Sequence, residues 1–263
     1  MAFVPKEATV LEGGCFCKAI RYTISIPAIA DRPLVPRALP TSVGFDKGQA
    51  DSPRTVPTNF PLVGLDHCQS CRQSSGAIIQ CWFVCPAEWV RWSFLPRDDG
   101  KSAPLGPGER SVVAPEVASE NLLPSMEASE TAEESSRIDL STLDAVTPRT
   151  PKKGATDPVS DVPRTRDTYL THWNSSPETY RSFCGRCGTT LTFFYDRPVS
   201  SPMPPLVDIT VGSLDNASLE RIRPDRHLWW DDGTSWIQQL VRHGDGGFLL
   251  RHPTGAVSST IEL

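Results

Sequence analysis

The sequence predicts a mostly β protein whose halves are joined through cysteines, and three observations carry that expectation. Apolar stretches of eight or nine residues alternate or run unbroken, no long segment keeps a 3.6-residue apolar period, and six of the eight cysteines fall in three close pairs. Taken in order, AIRYTISI (19–26) alternates and is β-branched, which reads as a half-buried strand. Between Pro27 and Pro61 the chain is punctuated by proline, beginning PAIADRPLVPRALP, and reads as a long surface loop. AIIQCWFVC (77–85) is a continuous apolar strand, whereas PAEWVRWSF (86–94) fits a short helix or a strand equally well. TTLTFFYD (189–196) is rich in Thr and Phe, and LVDITVGSL (206–214) alternates before an expected turn at Asp215-Asn216. SWIQQLVRH (235–243) again fits either state, and no repeat appears beyond the cysteine pairs.

The 263 residues are 38% hydrophobic and 22% charged, an average that hides a division. From Asp98 to Arg166 there is no Phe, Trp, Tyr or Cys, and the stretch is dense in Pro, Ser, Thr, Ala and Glu. Without aromatic residues it buries too little apolar surface to offset the entropy of ordering, so it is expected to be a disordered insert. A long loop between two strands costs little in closure entropy. One β domain over 11–245, interrupted by residues 98–166 and followed by a C-terminal tail over 246–263, is the simplest organisation.

Residues 98–166 hold 13 acidic against 8 basic side chains, which is the whole of the chain's net charge of −5. The remainder is balanced and has no basic excess to hold a phosphate backbone, so no nucleic-acid partner is expected. No apolar run approaches a membrane span, and MAFVPKEATVLEGG lacks a basic region followed by an apolar core. Neither membrane insertion nor a secretory signal is expected, and the placement is cytoplasmic or nuclear. In that setting thiols stay reduced, and paired cysteines read as metal ligands or catalytic groups before disulfides.

The pairs are Cys15-Phe-Cys17, Cys68-Gln-Ser-Cys71 and Cys184-Gly-Arg-Cys187. Tetrahedral zinc with Zn–S near 2.3 Å needs sulfurs about 3.8 Å apart. Residues i and i+2 on one face of an extended chain meet that, and so do i and i+3 around a tight knuckle. Gly188 follows the last pair and permits a left-handed turn into a strand, while Gly13 and Gly14 allow close backbone approach before the first. Cys15, Cys17, Cys184 and Cys187 would make a closed, structural four-cysteine site that stitches the two blocks together. Cys81 and Cys85, in an apolar run, read as core cysteines. Asp66, Cys68 and Cys71 remain as a three-donor cluster, and three protein ligands with one open position describe a catalytic zinc site.

GGCFCKAIRYTI, HCQSCRQSSGA and SSPETYRSFCGRCGTTLTF occur in that order, followed by DITVGSLDN and RHLWW. With them the chain resembles the glutathione-dependent formaldehyde-activating enzyme family, which includes centromere protein V, over most of residues 11–96 and 167–245. The resemblance implies an Mss4-like fold of curled antiparallel sheets. It also implies structural zinc on Cys15, Cys17, Cys184 and Cys187, and Cys68 and Cys71 as two of three ligands of a second, catalytic zinc. The implied activity is that of a carbon–sulfur lyase, the formation of S-hydroxymethylglutathione from formaldehyde and glutathione.

The family's middle motif usually reads Cys-His-Cys-x-x-Cys, whereas this chain has Asp66-His67-Cys68-Gln-Ser-Cys71. Asp66 replaces the thiolate, or the second site is weakened, or His67 swings in as the ligand; the first is the reading adopted, since zinc accepts oxygen. An open zinc would hold glutathione sulfur as thiolate or polarise the aldehyde oxygen. Arg72, beside the site, is a candidate partner for a glutathione carboxylate or else an ordinary surface arginine. His172, His227, His243 and His252 show no ligand spacing and read as structural. The competing expectation is a non-catalytic zinc scaffold that serves as an interaction module. It is favoured by the long insert, where TPRTPKK (147–153) offers two Thr-Pro steps as a phosphorylation or protein-binding element.

Overall fold

The computed structural model describes residues 4–35, 41–42, 55–56, 59–97, 137–147, 168–196, 204–246, 249 and 251. Along the chain the first strands are β1 (Thr9–Gly14), β2 (Ile20–Ile26), β3 (Thr41–Ser42), β4 (Thr55–Val56) and β5 (Leu62–Asp66). A short helix α1 (Gln69–Ser75) leads to β6 (Gln80–Pro86) and β7 (Val90–Phe94), which are joined by a 3-10 turn over Ala87–Trp89. Then come β8 (Ile138–Ser141) and α2 (Thr142–Val146), followed by β9 (Leu170–Ser176), β10 (Thr179–Cys184), β11 (Thr190–Tyr195) and β12 (Leu206–Thr210). The last elements are α3 (Asn216–Leu219), β13 (Arg226–Leu228) and α4 (Ser235–His243). The chain is mostly β.

The strands form a four-stranded sheet, β1-β2-β7-β8, and a seven-stranded sheet, β13-β5-β6-β12-β11-β10-β9, with β3 and β4 as a separate pair. Every pairing is antiparallel except β13 with β5. Strand alternation puts Ile20, Tyr22, Ile24, Trp92 and Phe94 of the smaller sheet in one buried cluster with Val63, Phe83, Cys85, Val207 and Ile209 of the larger. Polar ties join the layers. The Tyr22 hydroxyl lies 2.7 Å from Ser213 Oγ, Arg21 pairs with Asp215, and Glu12 N–H donates to Ser218 Oγ at 2.8 Å. The other face of the larger sheet carries the candidate site. Its register sets Val84, Asp208, Phe193, Arg181 and Trp173 in one row, with Trp82 and Thr210 in the next.

The quoted strand stretches fall on β2, β6, β11 and β12. PAEWVRWSF resolves into a 3-10 turn and β7, and SWIQQLVRH into α4, which ends at Gly244 in a left-handed φ of 72°. Asp215-Asn216 begins α3 instead of a plain turn. The Pro27–Pro61 connection is tied at its ends by a bridge between Leu34 and Asn59, and residues 43–54 lie outside the described residues.

The disorder expected over 98–166 is corrected for Arg137–Thr147. β8 extends the smaller sheet along β7, and α2 buries Ala145 and Val146, with Leu140 also in the core. The segment needs no aromatic of its own because β7 supplies that surface through Trp92 and Phe94. Thr142 bridges the two by accepting from Trp92 Nε1 at 3.2 Å and donating to the Val90 carbonyl at 2.8 Å. Residues 98–136 and 148–167 lie outside the described residues, as does most of TPRTPKK and of the 246–263 tail. Among the described residues no helix is long and apolar enough to cross a membrane.

Candidate metal centres

Among the described residues two groups of donors come together, and each has all its ligand atoms within 4.8 Å of one another: Cys15, Cys17, Cys184 and Cys187, and separately Asp66, Cys68 and Cys71. Both groups could hold a metal ion.

The first group is made by two turns that meet across the chain. β1 ends at Gly14, and Cys15 starts a turn closed by Lys18 N–H on the Cys15 carbonyl, with Lys18 in the left-handed region. The pair therefore sits in a turn and not along an extended strand, as its spacing alone suggested. Gly13 is required there, since a Cβ would overlap the Tyr22 hydroxyl and lie 2.7 Å from the Ser213 carbonyl oxygen. On the other side, Cys184 ends β10 and Gly188, at φ 77°, donates its N–H to the Cys184 carbonyl at 2.7 Å. Cys15 Sγ lies 3.5 Å from Cys17 Sγ, and Cys17 Sγ lies 3.8 Å from Cys184 Sγ. These are the edge lengths of a tetrahedral thiolate site.

Burial pushes the Cys15 thiol well up, with Cys17 and Cys184 adding to it, and burial also raises Cys184 against the N–H groups of Cys187 and Arg186. Burial also raises Cys187, but the Thr189 hydroxyl, 3.2 Å away, and nearby N–H groups outweigh it and bring it down to about 6. A divalent cation would offset this crowding of sulfur by displacing the thiol protons.

The second group is built on the β5–α1 junction. Asp66 ends β5 and is buried; Cys68 is the N-cap of α1, and Cys71 lies buried one turn later. Asp66 Oδ1 accepts the Cys68 N–H at 2.8 Å, and Oδ2 accepts from Trp82 Nε1 at 2.9 Å. Both oxygens keep a lone pair for a metal, so the carboxylate is oriented and not consumed. Burial pushes the Cys71 thiol up to about 12, although Arg181 opposes it. Burial raises Cys68 too, but the Ser70 hydroxyl at 3.3 Å and the N–H groups of Cys71 and Ser70 win and lower it. A Cys-x-x-Cys pair at a strand-to-helix junction would by itself also suit redox chemistry. The Asp66 carboxylate, within reach of both sulfurs, makes it a three-donor set.

His67 turns away from this set. Its Nε2 lies 3.0 Å from His227 Nδ1, both rings pack on Trp230, and burial lowers both imidazoles. His172 Nε2 meets the Ala145 carbonyl, and His243 ends α4 outside both clusters, while His252 lies outside the described residues. Cys85 is fully buried in the core, and Cys81 is partly buried beside it. Arg72 lies on α1 with no side-chain hydrogen bond or ion pair among the described residues.

The guanidinium that does reach the donors is that of Arg181, whose Nη2 lies 3.4 Å from Cys71 Sγ. Arg181 stands on β10, four places from β5 in the sheet, and lies across the Phe193 ring at 4.8 Å. Its partial signal in the sequence is an arginine inside the strand-like TYRSF.

Asp208, partly buried in the same row, is the other group that the sequence did not flag. Burial and then the charge of Asp66 raise its carboxyl to about 7 from an ordinary 3.8, against the pull of Arg181. Between those values the folded chain holds a proton that the unfolded chain has released. Stability therefore falls as pH rises through that window and is level on either side. In chain lacking a metal on Asp66, Asp208→Asn is expected to stabilise the fold at pH 8 by about 4 kcal/mol and to change little at pH 3.5. Urea denaturation at the two pH values checks this.

No protein-family model matches the chain, and no curated protein is significantly similar to it. The fold and the donor sets therefore define its class: a mostly β protein with one closed four-cysteine cluster and one three-donor cluster, each suited to a metal ion.

Proposed function

We propose that the chain is a zinc protein of the glutathione-dependent formaldehyde-activating type, with an Mss4-like fold and a carbon–sulfur lyase activity on glutathione–aldehyde adducts. The observation that carries this reading is the coexistence of a closed four-sulfur cluster with a separate three-donor cluster. The first leaves no position for a substrate and reads as structural; the second, with three donors, leaves one. Zinc on Asp66, Cys68 and Cys71 would hold a thiol as thiolate at neutral pH or polarise an aldehyde oxygen. The partners in this reading are glutathione or a related small thiol and an aldehyde, with neither nucleic acid nor membrane.

The chain's own residues supply orientation. Trp82 and the Cys68 N–H fix the Asp66 carboxylate, while Arg181 holds Cys71 from the opposite strand. In the synthetic direction the thiolate sulfur bonds to the carbonyl carbon. The C=O π pair moves to oxygen, which then takes a proton, and nothing leaves.

The test is NMR of formaldehyde with glutathione, in which adduct formation is expected to be faster with protein than without it. A rate equal to the uncatalysed one overturns the reading. The second reading, a non-catalytic zinc scaffold, is favoured by one observation, that both Asp66 oxygens already accept hydrogen bonds. Two zinc ions per chain support the enzyme, and one supports the scaffold.

A further inference from the structure

Arg181 is only 3% exposed, yet its Nε and Nη1 have no hydrogen-bond partner among the described residues. Its third nitrogen, Nη2, touches Cys71 Sγ, and the ring of Phe193 covers one face of the guanidinium. A guanidinium keeps its charge in a protein, and a buried charge with unmade hydrogen bonds is costly. Nearly all such donors in native interiors find an acceptor. The two neighbouring carboxylates do not serve. Asp66 accepts from Trp82 and Cys68 and Asp208 lies in the same row, but neither makes a hydrogen bond to Arg181 Nε or Nη1. Thr210 Oγ1, in the next row on the same face, is buried and unpaired as well.

We propose that Arg181 forms a subsite for a negatively charged oxygen of the ligand, directly beside the Asp66–Cys68–Cys71 cluster. The position of Nη2 against a cluster sulfur places that oxygen on the reacting group of the ligand and not on a remote substituent. The ligand class is therefore a small molecule whose reacting group carries an oxyanion or develops one. This rests on the proposed function for the identity of the cluster, but the subsite belongs to Arg181 alone. Charge balance favours it. Three anionic donors around a divalent ion leave one negative charge, which Arg181 offsets, so an incoming anion meets a neutral site.

Formate, a one-carbon oxyanion, is the probe, and the Arg181 Nε–H resonance of ¹⁵N-labelled, metal-loaded protein is the readout. Formate is expected to shift that resonance saturably. Arg181→Lys, which keeps the charge but loses the planar fork, is expected to bind formate ~10-fold or more weakly. Binding of 2-mercaptoethanol, which brings no oxyanion, should weaken far less than that of formate. Arg181→Gln serves as a second variant if it folds, and Arg181→Lys suffices if it does not. An Nε–H resonance that formate leaves in place overturns the proposal, because the acceptor is then water. Equal weakening of formate and 2-mercaptoethanol overturns it too, because Arg181 then serves only to hold Cys71.

The same titration in Asp66→Ala, which keeps the four-cysteine cluster, separates the two readings. A retained shift supports the subsite even where the second metal is lost. A shift lost in that variant shows formate held by the metal alone and sinks the subsite.

Discussion

Cys184→Ser is expected to abolish folding, and stripping metal from the four-cysteine cluster of the unaltered chain is expected to do the same. Cys184 is fully buried, ends β10, and brings its sulfur to within 3.8 Å of Cys17 from a point 167 residues away. A structural metal on four thiolates contributes on the order of 10 kcal/mol, comparable to the whole stability of a domain. Removing one donor leaves an incomplete ligand set in which burial drives the Cys15 thiol toward its neutral form, and the link through sulfur between the β1–β2 turn and the end of β10 is lost. Circular dichroism and metal content, measured together with and without chelator, check this. A variant that loses one metal but melts where the parent does would show that the cluster is not structural.

Asp66→Ala is expected to lower the metal content from two ions per chain to one, leave the fold intact, and return adduct formation to the uncatalysed rate. The substitution removes one of three donors and leaves the Trp82 indole N–H and the Cys68 N–H without their acceptor. Each stranded donor costs about 1–3 kcal/mol, so a lower but cooperative melting transition accompanies the metal loss. Unchanged zinc content would show that the carboxylate is not a ligand.

The cysteine spacing made both clusters legible before any coordinates, because ligand distance constrains so few arrangements of short pairs. The strands over 19–26, 189–196 and 206–214 were legible for a similar reason, since a buried face every second residue leaves its mark. β9 and β10 were not, because TYRSFC places a buried arginine where an apolar residue would have marked the pattern. Nothing in the sequence ties the same arginine to the site, where Arg72, adjacent to the cysteine pair, is the expected cation. Which guanidinium reaches Cys71 depends on strand order, and β10 comes round to that face only because β6, β12 and β11 lie between it and β5. β8 and α2 leave no mark in the composition of 98–166 taken as a whole. Eleven residues that dock on the aromatics of another strand need no aromatics of their own.

The joint between Cys17 and Cys184 also sets an order of events during synthesis. Cys15 and Cys17 leave the ribosome before their partners, and Cys184 follows Cys17 by 167 residues. At cellular elongation speeds that interval is roughly 10–30 s. Throughout it the β1–β2 turn carries half of the four-cysteine cluster, open to oxidation or to the wrong ion. The nascent chain is thus most vulnerable at this turn until the Cys184–Cys187 knuckle has been made.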